Sequence, residues 1–179
     1  SRVRRAATGL LATRNGDLVV SWNAGGITRY RGARLDRPGF DLGTRDGLCE
    51  GRFGPMLEGR DGTLWLGSHE HGLAVVQGGR GRCLRAGDGL GSERITAIAE
   101  RADGSVLVGS LDAAGITIVE NGKPRVLLSP GGPGRAFAFS EDARGRLWVT
   151  SDRGVFVGDA GVLEGRASAR WRQIDDEDG

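Results

Sequence analysis

The chain has two histidines, and they lie two residues apart: His69 and His71, with Glu70 between them. On an extended backbone the side chains of residues i and i+2 point the same way. Two imidazoles at this spacing can therefore share one metal ion if a third ligand arrives from elsewhere. The triplet supplies no such ligand, so it reads as a solvated loop, and no metal or other cofactor is expected. Ser68 beside His69 is not a nucleophile with its base. A base must meet its nucleophile in space, whereas sequence neighbours on a strand point apart. Gly115 to Lys123 resembles a phosphate loop only superficially, because the glycine spacing is wrong and Pro124 follows the lysine. No catalytic residue is assigned.

The elements that position these residues are written in a phrase that occurs four times. It reads Asn15-Gly16-Asp17-Leu18-Val19-Val20, Asp61-Gly62-Thr63-Leu64-Trp65-Leu66, Asp103-Gly104-Ser105-Val106-Leu107-Val108 and Arg144-Gly145-Arg146-Leu147-Trp148-Val149. The glycines Gly16, Gly62, Gly104 and Gly145 are 46, 42 and 41 residues apart. A period of about 40–45 residues with several short strands is the mark of β-propeller blades. The third repeat shows the plan. Ile95 to Glu100 alternates as strand A, Val106 to Ser110 is strand B, Ile116 to Glu120 is strand C, and Asn121-Gly122 turns tightly into a fourth strand, Arg125 to Ser129.

The expected fold is thus all-β, with four tandem four-stranded antiparallel repeats bounded near 1–48, 49–90, 91–132 and 133–179. Strand A of the other repeats is Ala7 to Ala12, Phe53 to Glu58 and Ala136 to Glu141. Strand C is Ile27 to Tyr30, Leu73 to Gln77 and Val155 to Gly158. Val19, Trp65, Leu107 and Trp148 share one position of strand B and are expected to pack between neighbouring blades. Four blades leave no strand over to close a ring, so a larger propeller of seven or eight blades is expected. The remainder of a longer parent or a second copy would complete it.

Composition narrows the partners. The net charge is +2, and the 24 arginines and one lysine (Lys123) are scattered over every repeat. No basic stripe for nucleic acid is formed. Arg2, Arg4 and Arg5 are the only short basic cluster and read as a solvated segment. No apolar run approaches the ~20 residues of a membrane span. Repeat geometry sets Cys49 near the face of a blade and Cys83 toward its outside. Two free thiols are expected, since a disulfide needs Cα atoms within about 7 Å.

The string Leu57-Glu58-Gly59-Arg60-Asp61-Gly62-Thr63-Leu64-Trp65-Leu66-Gly67-Ser68 resembles the two-component regulator propeller repeat. Asp46-Gly47-Leu48 and Asp88-Gly89-Leu90, each ahead of a new strand A, share that resemblance. The likeness extends over all four repeats and is weakest in the first, where Ser21-Trp22 replaces the Gly-Ser step. It implies a periplasmic sensor module of a bacterial signal-transduction protein, binding a small ligand or a protein partner and not itself an enzyme. Topology puts the B–C loops and the D–A connections on one face. That face holds the candidate ligand-binding residues Trp22, Asn23, Arg45, His69, Glu70, His71, Asp112, Arg135, Asp152 and Arg153, with Asp46 beside Arg45. The alternatives are a propeller lyase or glycan hydrolase working through His69 and His71, or a structural scaffold.

Overall fold

A computed structural model describes residues 6–36, 38–112, 115–127, 132–166 and 169–174. The Arg2, Arg4 and Arg5 cluster, Gly131, Ser129 at the end of the expected fourth strand, and the Asp178-Gly179 terminus lie outside the described residues. The described chain is built of β-strands, with three 3-10 turns and one short helix, α1 (Ala160–Leu163).

The sixteen strands form four antiparallel four-stranded sheets, each in sequence order. The first holds β1 (Ala7–Ala12), β2 (Leu18–Trp22), β3 (Ile27–Tyr30) and β4 (Pro38–Leu42). The second holds β5 (Phe53–Glu58), β6 (Leu64–Ser68), β7 (Leu73–Gln77) and β8 (Arg80–Leu84). The third holds β9 (Ile95–Glu100), β10 (Val106–Ser110), β11 (Ile116–Glu120) and β12 (Lys123–Leu127). The fourth holds β13 (Ala136–Glu141), β14 (Leu147–Ser151), β15 (Gly154–Gly158) and β16 (Arg172–Ile174).

Two compact units result. One contains the chain through Arg85 with Glu93–Ile95, the other Ala86–Ser92 and the chain from Thr96 onward. In the first unit Val19, Ile27 and Leu42 of one sheet meet Phe53, Leu64, Leu66, Ala74 and Val76 of the next, with Leu48 and Cys49 between them. In the second, Leu107, Ile116, Ile118 and Leu127 pack with Ala136, Leu147 and Val149, and Leu163 of α1 joins them. This burial of alternate strand residues between sheets is what makes short strands stable.

The repeated phrase has a specific packing reason. At Gly109, in the Gly-Ser step that ends strand B, a β-carbon would stand 2.7 Å from the carbonyl oxygen of Ala136. Only glycine lets the next strand A approach so closely. The Thr96 hydroxyl then donates to that same carbonyl at 2.5 Å. In the first unit the Thr8 hydroxyl donates to the Phe53 carbonyl at 3.4 Å, as does that of Ser21 at 3.2 Å. Further out, Glu58 takes the amide of Arg14 at 2.7 Å, and Glu141 takes that of Ala102 at 3.2 Å. A glutamate closing strand A thus reaches back to the A–B turn of the sheet before it in each unit.

The structure corrects three expectations. The fourth strand of the third sheet starts at Lys123, because the Asn121-Gly122 turn (φ 51° and 73°) pairs Glu120 directly with Lys123. Trp65 and Trp148 are half-buried, whereas Val19 and Leu107 at the same position are fully buried. The Trp148 indole N–H donates to Asp142 at 3.0 Å and its ring lies 5.2 Å from the Arg146 guanidinium. A polar ring edge facing the turn keeps the indole at the margin of the core.

The third correction concerns the cysteines, which are joined as a disulfide with Cα atoms 4.9 Å apart. The Asp-Gly-Leu segment does not stay near one face; it lies against the fourth strand of the following sheet. Gly47 (φ 91°) is so close to β8 that a β-carbon would stand 2.2 Å from the Gly81 carbonyl oxygen. Two residues on from each contact, Cys49 and Cys83 meet. Gly89 repeats the approach, 2.7 Å from the Pro124 carbonyl oxygen by the same measure.

Candidate functional site

Strand B ends in a hydroxyl, and that hydroxyl shapes the loop after it. Ser68 Oγ accepts the amides of Glu70 (3.3 Å) and His71 (3.1 Å) and donates to the Glu50 carbonyl at 3.1 Å. The segment carrying the histidines is therefore a turn rather than an extended strand, and the i, i+2 rule does not apply. The His69 ring lies over Gly54, where a β-carbon would stand 2.8 Å from Nε2. The His71 ring lies over Gly51, with Cδ2 at 2.9 Å by the same measure. His71 Nε2 is 3.9 Å from Glu70 Oε2 in a largely solvated contact. Among the described residues no three His, Cys, Asp or Glu side chains gather in a metal-binding group.

The other face residues clasp the incoming strand A. Asn23 donates its amide to the Ala6 carbonyl at 2.9 Å, and its Oδ1 accepts the Ala6 amide at 3.2 Å. Asp152 does the same with Arg135, at 3.3 Å and 3.2 Å. The His69 amide donates to Arg52 at 3.2 Å, so only the backbone half of the clasp survives there. In the third repeat the Ser92 hydroxyl donates to Asp112 Oδ2 at 2.6 Å. Arg153 bonds the Gly132 carbonyl at 3.0 Å and packs 5.7 Å from the Phe156 ring, while Arg45 is exposed. The sequence placed these residues on one side of their sheets. The structure gives most of them local partners.

A concavity forms on that side, within the first unit. It is a cleft of about 210 Å³ lined by Trp22, Gly25, Gly26, Ile27, Asp41, Leu42, Gly43 and Asp46. The Trp22 indole N–H donates to Thr28 Oγ1 at 2.8 Å, and the Thr28 hydroxyl donates in turn to Asp41 Oδ1. Thr28 is buried, so ring and carboxylate are oriented by one inner hydroxyl. Asp46 Oδ2 accepts the Gly43 amide at 2.9 Å, closing the 3-10 turn Thr44–Asp46. Of this set the sequence had singled out Trp22 and Asp46. Asp41 and Thr28 were missed, although β3 and β4 pair Thr28 directly with Asp41.

The carboxylates with displaced acidity lie instead at the A–B turns. The amide and hydroxyl of Thr63 hold Asp61 below the usual carboxylate range. The Gly32 amide, aided by Arg29, does so for Asp17. Burial pushes Asp103 up, but the hydroxyl and amide of Ser105 outweigh it and the net shift is downward. The Trp148 indole N–H leads the groups that lower Asp142. Each carboxylate is satisfied within its own sheet, by its turn or by an adjoining strand or loop, which is a structural use of charge.

No family model matches this chain, and no curated protein is similar to it. Solved structures are. The extracellular domain of a hybrid two-component system from B. thetaiotaomicron superposes with a TM-score of 0.66 at 15% identity, over 97% of this chain and 23% of that one. The extracellular domain of a one-component system from the same organism gives 0.69 at 20%, over 94% and 22%. A catalytically inactive virginiamycin B lyase from Staphylococcus aureus, with quinupristin, gives 0.69 at 13%, over 99% and 59%. The chain therefore spans about a quarter of the length of the two extracellular domains. The likeness establishes the β-propeller fold. No helix among the described residues is long and apolar enough to cross a membrane.

Proposed function

We propose that this chain is part of an extracytoplasmic β-propeller that binds a small ligand or a protein partner for a bacterial signal-transduction protein, without catalysing a reaction itself. The observation that carries the reading is the Cys49–Cys83 disulfide, because such bonds persist in oxidising compartments and are rare in the cytosol. The similar extracellular domains of one- and two-component systems support the same placement. A binding role rather than a chemical one fits the loop face, where the histidines rest over separate glycines and Asn23 and Asp152 are occupied by backbone.

Further propeller sheets, from the rest of a parent chain or from a second copy, complete the working unit in this reading. Light scattering over a dilution series reads this directly. Mass above the monomer, or binding of a hydrophobic dye, agrees with it; a dye-silent monomer at all concentrations opposes it.

The principal test has two readouts. Alkylation of cells before and after reduction should label Cys49 and Cys83 only after reduction; labelling beforehand removes the extracytoplasmic placement. A thermal-shift screen of metabolites, followed by chromatography of each stabilising compound, should return the compound unchanged. A compound converted to product would favour the lyase-like alternative, for which the virginiamycin B lyase fold is the precedent.

A further inference from the structure

We propose that the cleft between Trp22, Asp41 and Asp46 binds small organic amines in their ammonium form. This rests on the loop face being a ligand-binding face and names the ligand class for it.

The chemistry follows from counting donors and acceptors around the cleft. Its one side-chain donor, the Trp22 indole N–H, is spent on Thr28. The Gly25 amide is spent on the Trp22 carbonyl at 3.0 Å and the Gly43 amide on Asp46 at 2.9 Å. Thr28 takes one oxygen of Asp41 and Gly43 one oxygen of Asp46, so each carboxylate keeps an oxygen for a ligand. Among the described residues neither carboxylate has a cationic partner within salt-bridge distance. The remaining lining is apolar or glycine: Ile27, Leu42 and backbone.

A site offering two anionic acceptors, an aromatic ring and no free side-chain donor favours a ligand that donates hydrogen bonds and carries positive charge. An ammonium group does both. It gains charge-assisted hydrogen bonds from carboxylates and attraction from an indole within about 6 Å. A neutral polyol offers the carboxylates no charge and so gains only ordinary hydrogen bonds from them. Thr28 holds the Trp22 ring edge and Asp41 before any ligand arrives, so little ordering remains to be done on binding.

Isothermal titration of the intact chain with putrescine tests the proposal, with butanediol and glucose as neutral comparators. Putrescine should bind, weakening as salt is raised, and both comparators should give no heat. Asp46→Asn and Asp41→Asn should each weaken putrescine about tenfold, the loss of one charged hydrogen bond. Asp36→Asn, an exposed carboxylate outside the cleft, should leave binding unchanged. Thermal midpoints of all variants separate lost binding from lost folding, and the neutral comparators need no variant. Butanediol or glucose binding as well as putrescine overturns the proposal. So does putrescine binding that survives both cleft substitutions, or its absence up to about 10 mM, the limit of meaningful affinity. If putrescine is silent while another screened compound stabilises the protein, the ligand-binding reading stands and only the amine assignment falls.

Discussion

Arg135 and Asp152 hold each other through a closed pair of bonds: the Asp152 amide donates to the Arg135 carbonyl at 3.3 Å, and the Arg135 amide donates to Asp152 Oδ1 at 3.2 Å. Ala6 and Asn23 repeat the arrangement in the first sheet. In both places a side chain one residue beyond the Trp or Ser that ends strand B fastens the start of strand A. These residues look like ligand groups in the sequence and act as fasteners in the fold.

Asp152→Ala and Asn23→Ala should therefore lower stability by about 0.5–1.5 kcal/mol each, the net worth of one such hydrogen bond. Chemical denaturation with unchanged slope measures this. Putrescine affinity should be the same as in the unaltered protein, since neither residue lines the cleft. A variant of full stability that loses ligand binding would reverse the assignment.

Replacing Cys49 and Cys83 together by serine should cost about 3–4 kcal/mol, the chain-entropy value for the 34-residue separation of the two cysteines. The same loss should follow from adding a reductant to the unaltered protein. Equal denaturation midpoints with and without reductant would mean that the bond contributes nothing to the native state.

Acid should weaken the A–B turns in a defined direction. Asp61 and Asp17 have folded pKa values below the ordinary 3.8. Their contribution is thus complete above the unfolded value and is lost as pH falls through the lower folded one. Asp61→Ala should cost about 1 kcal/mol at pH 7 through the Thr63 bonds. That difference should shrink below about pH 4, where the unfolded carboxylate takes up its proton. A difference constant from pH 7 to pH 2 would contradict the mechanism.

Gly109→Ala should destabilise the protein by about 1–3 kcal/mol, because the new methyl meets a backbone carbonyl that cannot rotate away. Gly87→Ala serves as the comparison. Its added methyl meets nothing within 4 Å, and a change within about 0.5 kcal/mol is expected. Thermal unfolding of the two variants side by side gives the answer.

The sequence by itself determined the repeat. Alternating strands such as Ile95 to Glu100 and the φ-positive turn at Asn121-Gly122 are local instructions that depend only on near neighbours. Strand A of every sheet begins and ends where the repeat places it. α1 was not legible, because Ala160–Leu163 is too short to show a helical period and its Leu163 is buried by contacts with the core of the second unit.

Tertiary structure alone decided the chemistry of the loop face. Whether Cys49 meets Cys83 depends on Gly47 lying against Gly81, a contact between residues 34 apart that no spacing rule encodes. Whether His69 and His71 converge depends on one Ser68 hydroxyl bending the chain after strand B. Asp41 faces Trp22 only because both bond to Thr28 across a pair of strands. Residue type fixes what a side chain can do, but the long-range packing of strands fixes which partner it finds first. At Asn23 and Asp152 that partner is the protein's own backbone.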